Sequence, residues 1–264
     1  MEQTITDISH YRKEMAKSMV DKLFFIEEIE AGLIVDFGCA DGVMLDFIKD
    51  LRPNIQLIGY DISEEMVNLA NNSERWKNSP DKPLFTSNWD EIKLQVSEAQ
   101  KNGIETAITL SSVIHEVYSY GTPQSIKEFW SNLFETGFDY IVIRDMLLSK
   151  KTHHDSHEKD VEKIYTSNDP HIAEFESLWG PITSFKNLLH YLLKYRYNKN
   201  WFRELRENYL PITLEEMSSK IPTQHYSYDH YEHYLLPFIK KSVKKEFGIN
   251  LKEPTHIKLI LKKK

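Results

Sequence analysis

Leu33-Ile34-Val35-Asp36-Phe37-Gly38-Cys39-Ala40-Asp41-Gly42 is the stretch that organises this chain, and Asp61 follows it in Leu57-Ile58-Gly59-Tyr60-Asp61-Ile62-Ser63. Leu33, Ile34 and Val35 form a short apolar run that reads as a buried strand. Gly38 and Gly42 punctuate the turn behind it, and Val43 to Asp50 continues with helical spacing. Gly38 lets the backbone pass close to a ligand with no side chain in the way, and Gly42 suits the start of the helix. Ile55 to Tyr60 reads as a second strand that ends at Asp61. A carboxylate about 20 residues past a glycine turn can accept hydrogen bonds from both ribose hydroxyls of an adenosine.

These residues resemble the class I S-adenosylmethionine-dependent methyltransferases, which carry an acid and then glycines as D-x-G-x-x-x-G. Asp36, Gly38 and Gly42 fit that pattern, and Asp61 matches the family's ribose-binding acid. A dehydrogenase needs G-x-G-x-x-G, and Ala40 stands where its second glycine would be. Asp36 would also repel a pyrophosphate, whereas it would attract a methionine ammonium. The resemblance implies an α/β, Rossmann-like sheet of seven strands in the order 3-2-1-4-5-7-6, with helices on both faces. It covers about residues 30–148 and 210–264. It implies S-adenosylmethionine as cofactor and S-adenosylhomocysteine as product. The cofactor contacts it implies are Asp36, Gly38, Cys39, Ala40, Gly42, Asp61, Ile62, Met66, Asn88, Trp89, Ser111 and Ser112. Within that set Met66 faces the adenine or the core, Asn88 reads the adenine amino group, and Trp89 stacks on the base or is a structural tryptophan.

At 264 residues, with 41% hydrophobic and 28% charged residues, the chain can bury a full core as one domain with a substantial insertion. Its single cysteine, Cys39, excludes an internal disulfide framework and reads as a small turn residue. The N-terminus lacks an apolar signal core and no run reaches the length of a membrane span, so a cytoplasmic protein is expected. The net charge of −7 argues against obligate nucleic-acid binding.

Residues 5–30 read as a helical cover before the first strand, with Tyr11, Met15, Met19, Leu23 and Ile26 at helical spacing. By the resemblance, Tyr11 and Lys22 approach the methionine end of the cofactor. Leu84–Ser87, Thr106–Ser111 and Asp139–Ile143 read as strands three to five. Ligands of such sheets bind outside the carboxyl ends of the strands, so His115 and Glu116, after strand four, face the substrate. Arg144 and Asp145 stand at the end of strand five, where their opposite charges suit a mutual pair. His115 is expected to act as a general base, with Glu116 or Asp145 orienting its ring.

Residues 147–210 interrupt the family pattern and read as a helical insertion or substrate lid. Its first part, with His153, His154 and His157, reads as a solvated segment and not as a metal site, and no metal is expected. Thr213 and Glu216 form a capping box, Gln224–Leu236 alternates as a strand, Phe238–Phe247 is helical and Thr255–Leu261 closes the sheet. No second core is apparent. The expected reaction is methyl transfer to a small-molecule acceptor, with no membrane involved. The alternatives are an RNA or tRNA methyltransferase, suggested by nine lysines against two glutamates in residues 239–264, or a protein that binds S-adenosylmethionine without catalysis.

Overall fold

The computed structural model describes residues 18–264. The expectations for Tyr11 and the rest of the N-terminal cover before Ser18 lie outside the described residues. A seven-stranded sheet runs in the order β3-β2-β1-β4-β5-β7-β6. Its strands are β1 (Leu33–Phe37), β2 (Gln56–Tyr60), β3 (Leu84–Thr86), β4 (Thr106–Ser111), β5 (Tyr140–Met146), β6 (Tyr226–Tyr234) and β7 (His256–Lys263). β1 to β5 are parallel, and β7 runs antiparallel to both β5 and β6. The expected order and helices on both faces are therefore present.

Strand alternation divides the core between the two faces. Leu33 and Val35 of β1 and Ile141 and Ile143 of β5 pack with Ile92 and Val96 of α4 (Trp89–Lys101) and Phe129 and Leu133 of α6 (Pro123–Glu135). Ile34, Tyr140 and Val142 point the other way, onto Met19 of α1 (Met19–Lys22) and Leu45 and Ile48 of α2 (Val43–Leu51). α3 (Glu64–Asn71) follows β2 and is capped by the Ser63 hydroxyl, which accepts from the Met66 N–H. α5 (Ile114–Tyr120) leaves the carboxyl end of β4.

The sequence reading of one core needs correction. α7 (Glu158–Thr166), α8 (Ile172–Trp179), α9 (Phe185–Lys194) and α10 (Trp201–Arg206) build a third apolar cluster. Leu188, Leu189 and Leu192 of α9 meet Ile239, Val243 and Phe247 of α12 (Pro237–Phe247), which follows α11 (Leu214–Ser218). The segment expected to be a solvated lid contains α7, whose first turn is capped by the His157 ring. Met19–Lys22 is the α-helix that the described part of the N-terminal cover contains, and turns follow it to residue 28. β5 is longer than expected because β7 pairs with it as far as Met146, so Arg144 and Asp145 lie within the strand. Among the described residues no helix is long and apolar enough to cross a membrane.

Candidate active site

The glycine turn is held by its neighbours. Gly38 has φ +75°, and a Cβ there would stand 2.7 Å from Val113 Cγ2. Gly42 has φ +84° and precedes α2, with the Phe85 ring 3.0 Å from where its Cβ would be. Ala40 takes φ +47°, a left-handed conformation that costs an L-residue of order 1–3 kcal/mol. Its N–H donates to Asp61 Oδ2 at 2.9 Å, while Asp61 Oδ1 accepts from the Ser63 N–H at 2.9 Å. The carboxylate expected to hold a ribose thus also ties the turn to the end of β2. Burial raises its pKa, and the two backbone donors offset part of that rise.

Asp36 is buried at the end of β1, and its Oδ1 accepts from Thr109 Oγ1 at 2.9 Å. Burial pushes this carboxyl up to about 7, against the Thr109 hydrogen bond and the nearby Lys22 ammonium. Burial likewise brings Lys22 down to about 8. Lys22, Asp36, Gly38, Cys39, Asp41 and Ser111 line one crevice. Lys22 reaches it because its neighbour Asp21 is pinned on three strands. Asp21 accepts from Arg144 Nε at 2.8 Å on β5 and from the Tyr234 hydroxyl at 2.7 Å on β6, and it pairs with Lys258 at 2.9 Å on β7. Burial raises the Cys39 thiol well above its ordinary range, consistent with a small turn residue rather than a nucleophile.

The other residues expected at the cofactor divide into two groups. Ser112, with φ +58°, follows Ser111 of the crevice lining, and its hydroxyl accepts from Arg144 Nη1 at 2.8 Å. Ile62 is 86% exposed beside Asp61 and has an apolar face ready to be covered. Met66 is half-buried on α3. Asn88 is engaged differently, because its Oδ1 caps α4 by accepting from the Asp90 N–H at 3.0 Å. Trp89 stands edge-on to Phe37 and Tyr60 with ring centroids 5.7 and 5.3 Å away, in an aromatic cluster of the core.

The acceptor side departs most from expectation. Arg144 and Asp145 do not pair with each other, because successive strand residues point to opposite faces. Arg144 turns to Asp21 and Ser112, while Asp145 Oδ1 lies 2.6 Å from His115 Nδ1. Asp145 Oδ2 accepts from the Ile114 and His115 N–H groups at 2.7 and 3.2 Å, fixing the first turn of α5. His115 Nε2 meets Glu207 Oε1 at 2.8 Å, and both side chains are buried. Glu116 pairs instead with Arg203 at 3.1 Å, and Asn208 N–H donates to the Ser119 hydroxyl at 2.8 Å. Segment 203–208 of the insertion is therefore fastened along α5.

This geometry corrects the role expected of His115. Burial alone would lower its pKa, but the Asp145 and Glu207 carboxylates override it and raise the value to about 10. With both ring nitrogens donating, the imidazolium has no lone pair with which to take a proton at neutral pH. Asp145 orients the ring as expected, and Glu116 does not. Glu207 and Arg203 were missed by the sequence reading. Their one signal is the i, i+4 spacing of an opposite-charge pair, which is common on any solvated helix.

A pH prediction follows with a definite sign. His115 titrates at 6.5 unfolded and about 10 folded, so its stabilisation is full below the first value and is lost as pH rises through the second. Glu116, pushed up to about 7 by burial and then by Glu207, is through its titration before most of that window. Lys22 has the opposite sign, since its folded value of about 8 lies below its unfolded 10.5. Comparing the chain with His115→Gln by urea unfolding cancels Lys22. The stability gap between them should narrow steadily from pH 7 to pH 10. A gap independent of pH would mean a neutral imidazole.

Residues 8–177, more than half of the chain, match the model of a family described as a methyltransferase domain. The fold is similar to that of a SAM-dependent methyltransferase from Anabaena variabilis ATCC 29413. That match has a TM-score of 0.53 and 12% identity over 96% of this chain and 87% of that one. It is also similar to the methyltransferase domain of bacterial CtHen1-CN, at TM-score 0.50 and 15% identity over 94% of this chain and 98% of that one. PKMT2 from Rickettsia typhi matches at TM-score 0.51 and 14% identity over 94% of this chain and 52% of that one. No curated protein matches it in sequence.

Proposed function

The chain belongs to the methyltransferase-domain family, and from that premise we propose that it methylates a small-molecule acceptor held beneath its helical insertion. It is an S-adenosylmethionine-dependent methyltransferase. The crevice fits that cofactor on features of its own. Gly38 keeps the turn free of a side chain, and two buried or half-buried carboxylates, Asp36 and Asp61, flank it. Asp61 would accept from the ribose hydroxyls, Asp36 would face the methionine ammonium, and Lys22 would face the methionine carboxylate. The cofactor supplies a methyl group already activated on a sulfonium. The protein's part is therefore to position the acceptor, exclude water and take a proton where the acceptor has one to lose.

The observation that carries the small-molecule reading is the fastening of the insertion to α5. Glu207 and Arg203 meet His115 and Glu116 at the start of α5, and the insertion's own core supports them from behind. A buried wall rich in carboxylates would also repel a phosphate backbone. The reading goes with a cytoplasmic setting. The exposed Lys240, Lys241, Lys244 and Lys245 of α12 favour the RNA alternative. Methyl-labelled S-adenosylmethionine separates the two when it is offered in turn to the small-molecule fraction and the RNA of the same cells. Label is expected in the small-molecule fraction. Label confined to RNA, with strong salt dependence, would replace this reading by the RNA one.

A further inference from the structure

We infer that the acceptor atom is the nitrogen of a protonated amine and that Glu116 is the base that deprotonates it, an inference that rests on the small-molecule reading above. The cluster where the insertion meets α5 presents three carboxylates, Asp145, Glu116 and Glu207, against two cations, His115 and Arg203. Both cations are already engaged. His115 is clamped between Asp145 and Glu207, and Arg203 spans Glu116 and Glu207 at 3.1 and 3.9 Å. Lys22 is the next cation and has Asp36 with it in the cofactor crevice, so with Glu116 ionised the cluster carries one negative charge in excess. An ammonium group supplies the missing charge, whereas a neutral hydroxyl or a phosphate does not.

Glu116 is the one of the three carboxylates suited to receive the ammonium. Asp145 is fully buried and spends both oxygens on α5 and its own strand neighbour. Glu207 is 2% exposed, whereas the Glu116 side chain is 35% exposed beside Arg203. The groups that face Glu116 are Glu207 and Arg203 from the insertion, His115 and Tyr120 on its own helix and Asp145 from β5. From α1, Lys22 is close enough for Glu116 and Asp145 to act on its charge, which joins the carboxylate wall to the cofactor crevice. Proton transfer is also matched. Glu116 is pushed up to about 7, and the ammonium already in this crevice, that of Lys22, is brought down to about 8 by burial. An acceptor amine desolvated there is shifted in the same direction.

The step balances. The ammonium gives one proton to the Glu116 carboxylate, and the freed nitrogen lone pair forms the N–C bond. The methyl–sulfur bond breaks with its electron pair remaining on sulfur, leaving the thioether product and a methylated ammonium. Among the described residues, His115, Glu116 and Glu207 also have ligand atoms within 4.8 Å of one another, a spacing that could hold a divalent cation. His115 Nε2 and Nδ1 are each met by a carboxylate oxygen, Glu207 Oε1 at 2.8 Å and Asp145 Oδ1 at 2.6 Å, so a metal there would have to part Glu207 from the ring.

The test uses trideuteriomethyl S-adenosylmethionine with the small-molecule fraction of the cells that make the chain, and the labelled product is located by mass spectrometry and NMR. The label is expected on nitrogen. Glu116→Gln should lower kcat/KM by about 10²–10⁴-fold, and Glu116→Asp should restore part of that rate. The fall in kcat/KM below pH 7 should disappear in Glu116→Gln, while S-adenosylhomocysteine affinity, read by calorimetry, stays within a few-fold. Label on oxygen, sulfur or carbon would overturn the amine and leave the small-molecule reading standing. Label found in RNA or nowhere would overturn both. Label on nitrogen with Glu116→Gln at full rate would remove Glu116 as the base. Transfer abolished by EDTA and restored by manganese would overturn the amine pairing in favour of a metal centre.

Discussion

Asp145→Ala should cost about 3–5 kcal/mol of folding stability, the usual penalty for removing one partner of a buried ion pair. The carboxylate is fully buried, and its oxygens hold His115 Nδ1, the N–H groups of Ile114 and His115, and the Met146 N–H. Without it the imidazolium keeps only Glu207, and the first turn of α5 loses its anchor on β5. Burial by itself raises the Asp145 pKa, yet the charged His115 holds it below the ordinary value, so Asp145 stabilises the fold above that ordinary value and loses the contribution as the pH falls. Urea unfolding at pH 7 measures the loss, with an unchanged denaturant slope as the sign that the unfolded state is the same. Asp145→Asn keeps the shape and removes the charge, so it should recover only part of the stability. A loss below 1 kcal/mol for Asp145→Ala would contradict an ionised pair at this position.

The second large effect concerns the cofactor. Asp61→Ala should remove two charge-assisted hydrogen bonds to a ribose, each worth about 1.5–3 kcal/mol. Calorimetry should then record an S-adenosylhomocysteine affinity lower by about 10²–10⁴-fold. Asp61 also accepts from the Ala40 and Ser63 N–H groups, so part of the loss passes through the turn itself. Asp61→Asn separates the two contributions. It retains one acceptor oxygen for the turn while removing the charge, and it should lose less affinity than alanine. An affinity within three-fold of the unmodified chain, with the fold intact, would overturn the assignment of Asp61 to the ribose.

Some of the site was legible residue by residue because its signals are local. Gly38 and Gly42 have positive φ in a turn that a strand must leave abruptly, and the residue types write that need into the sequence. Ser63 and the Thr213–Glu216 capping box announce helix starts through contacts three residues away. Asn88 carries the same local signal, and its cap on α4 is the role a reading by resemblance passed over. The alternation that separates Arg144 from Asp145 is also local, but it could be applied only once β5 was known to continue through both.

By itself the sequence determined the strand–turn–helix–strand unit around Asp36 and Asp61, the alternation of the strands and the helical character of the insertion. All of these follow from backbone preferences and apolar spacing within a few residues. Tertiary structure decided the protonation of His115 and, apart from the i, i+4 pair of Arg203 and Glu207, the partners of the charges around it. Asp21 and Arg144 are 123 residues apart, and His115 meets Glu207 only because the insertion folds back along α5. A pKa depends on burial and on the charges within a few ångströms, and neither is present in the chain until distant segments pack. The same histidine that spacing suggests as a base is for that reason an acid held fast between two carboxylates.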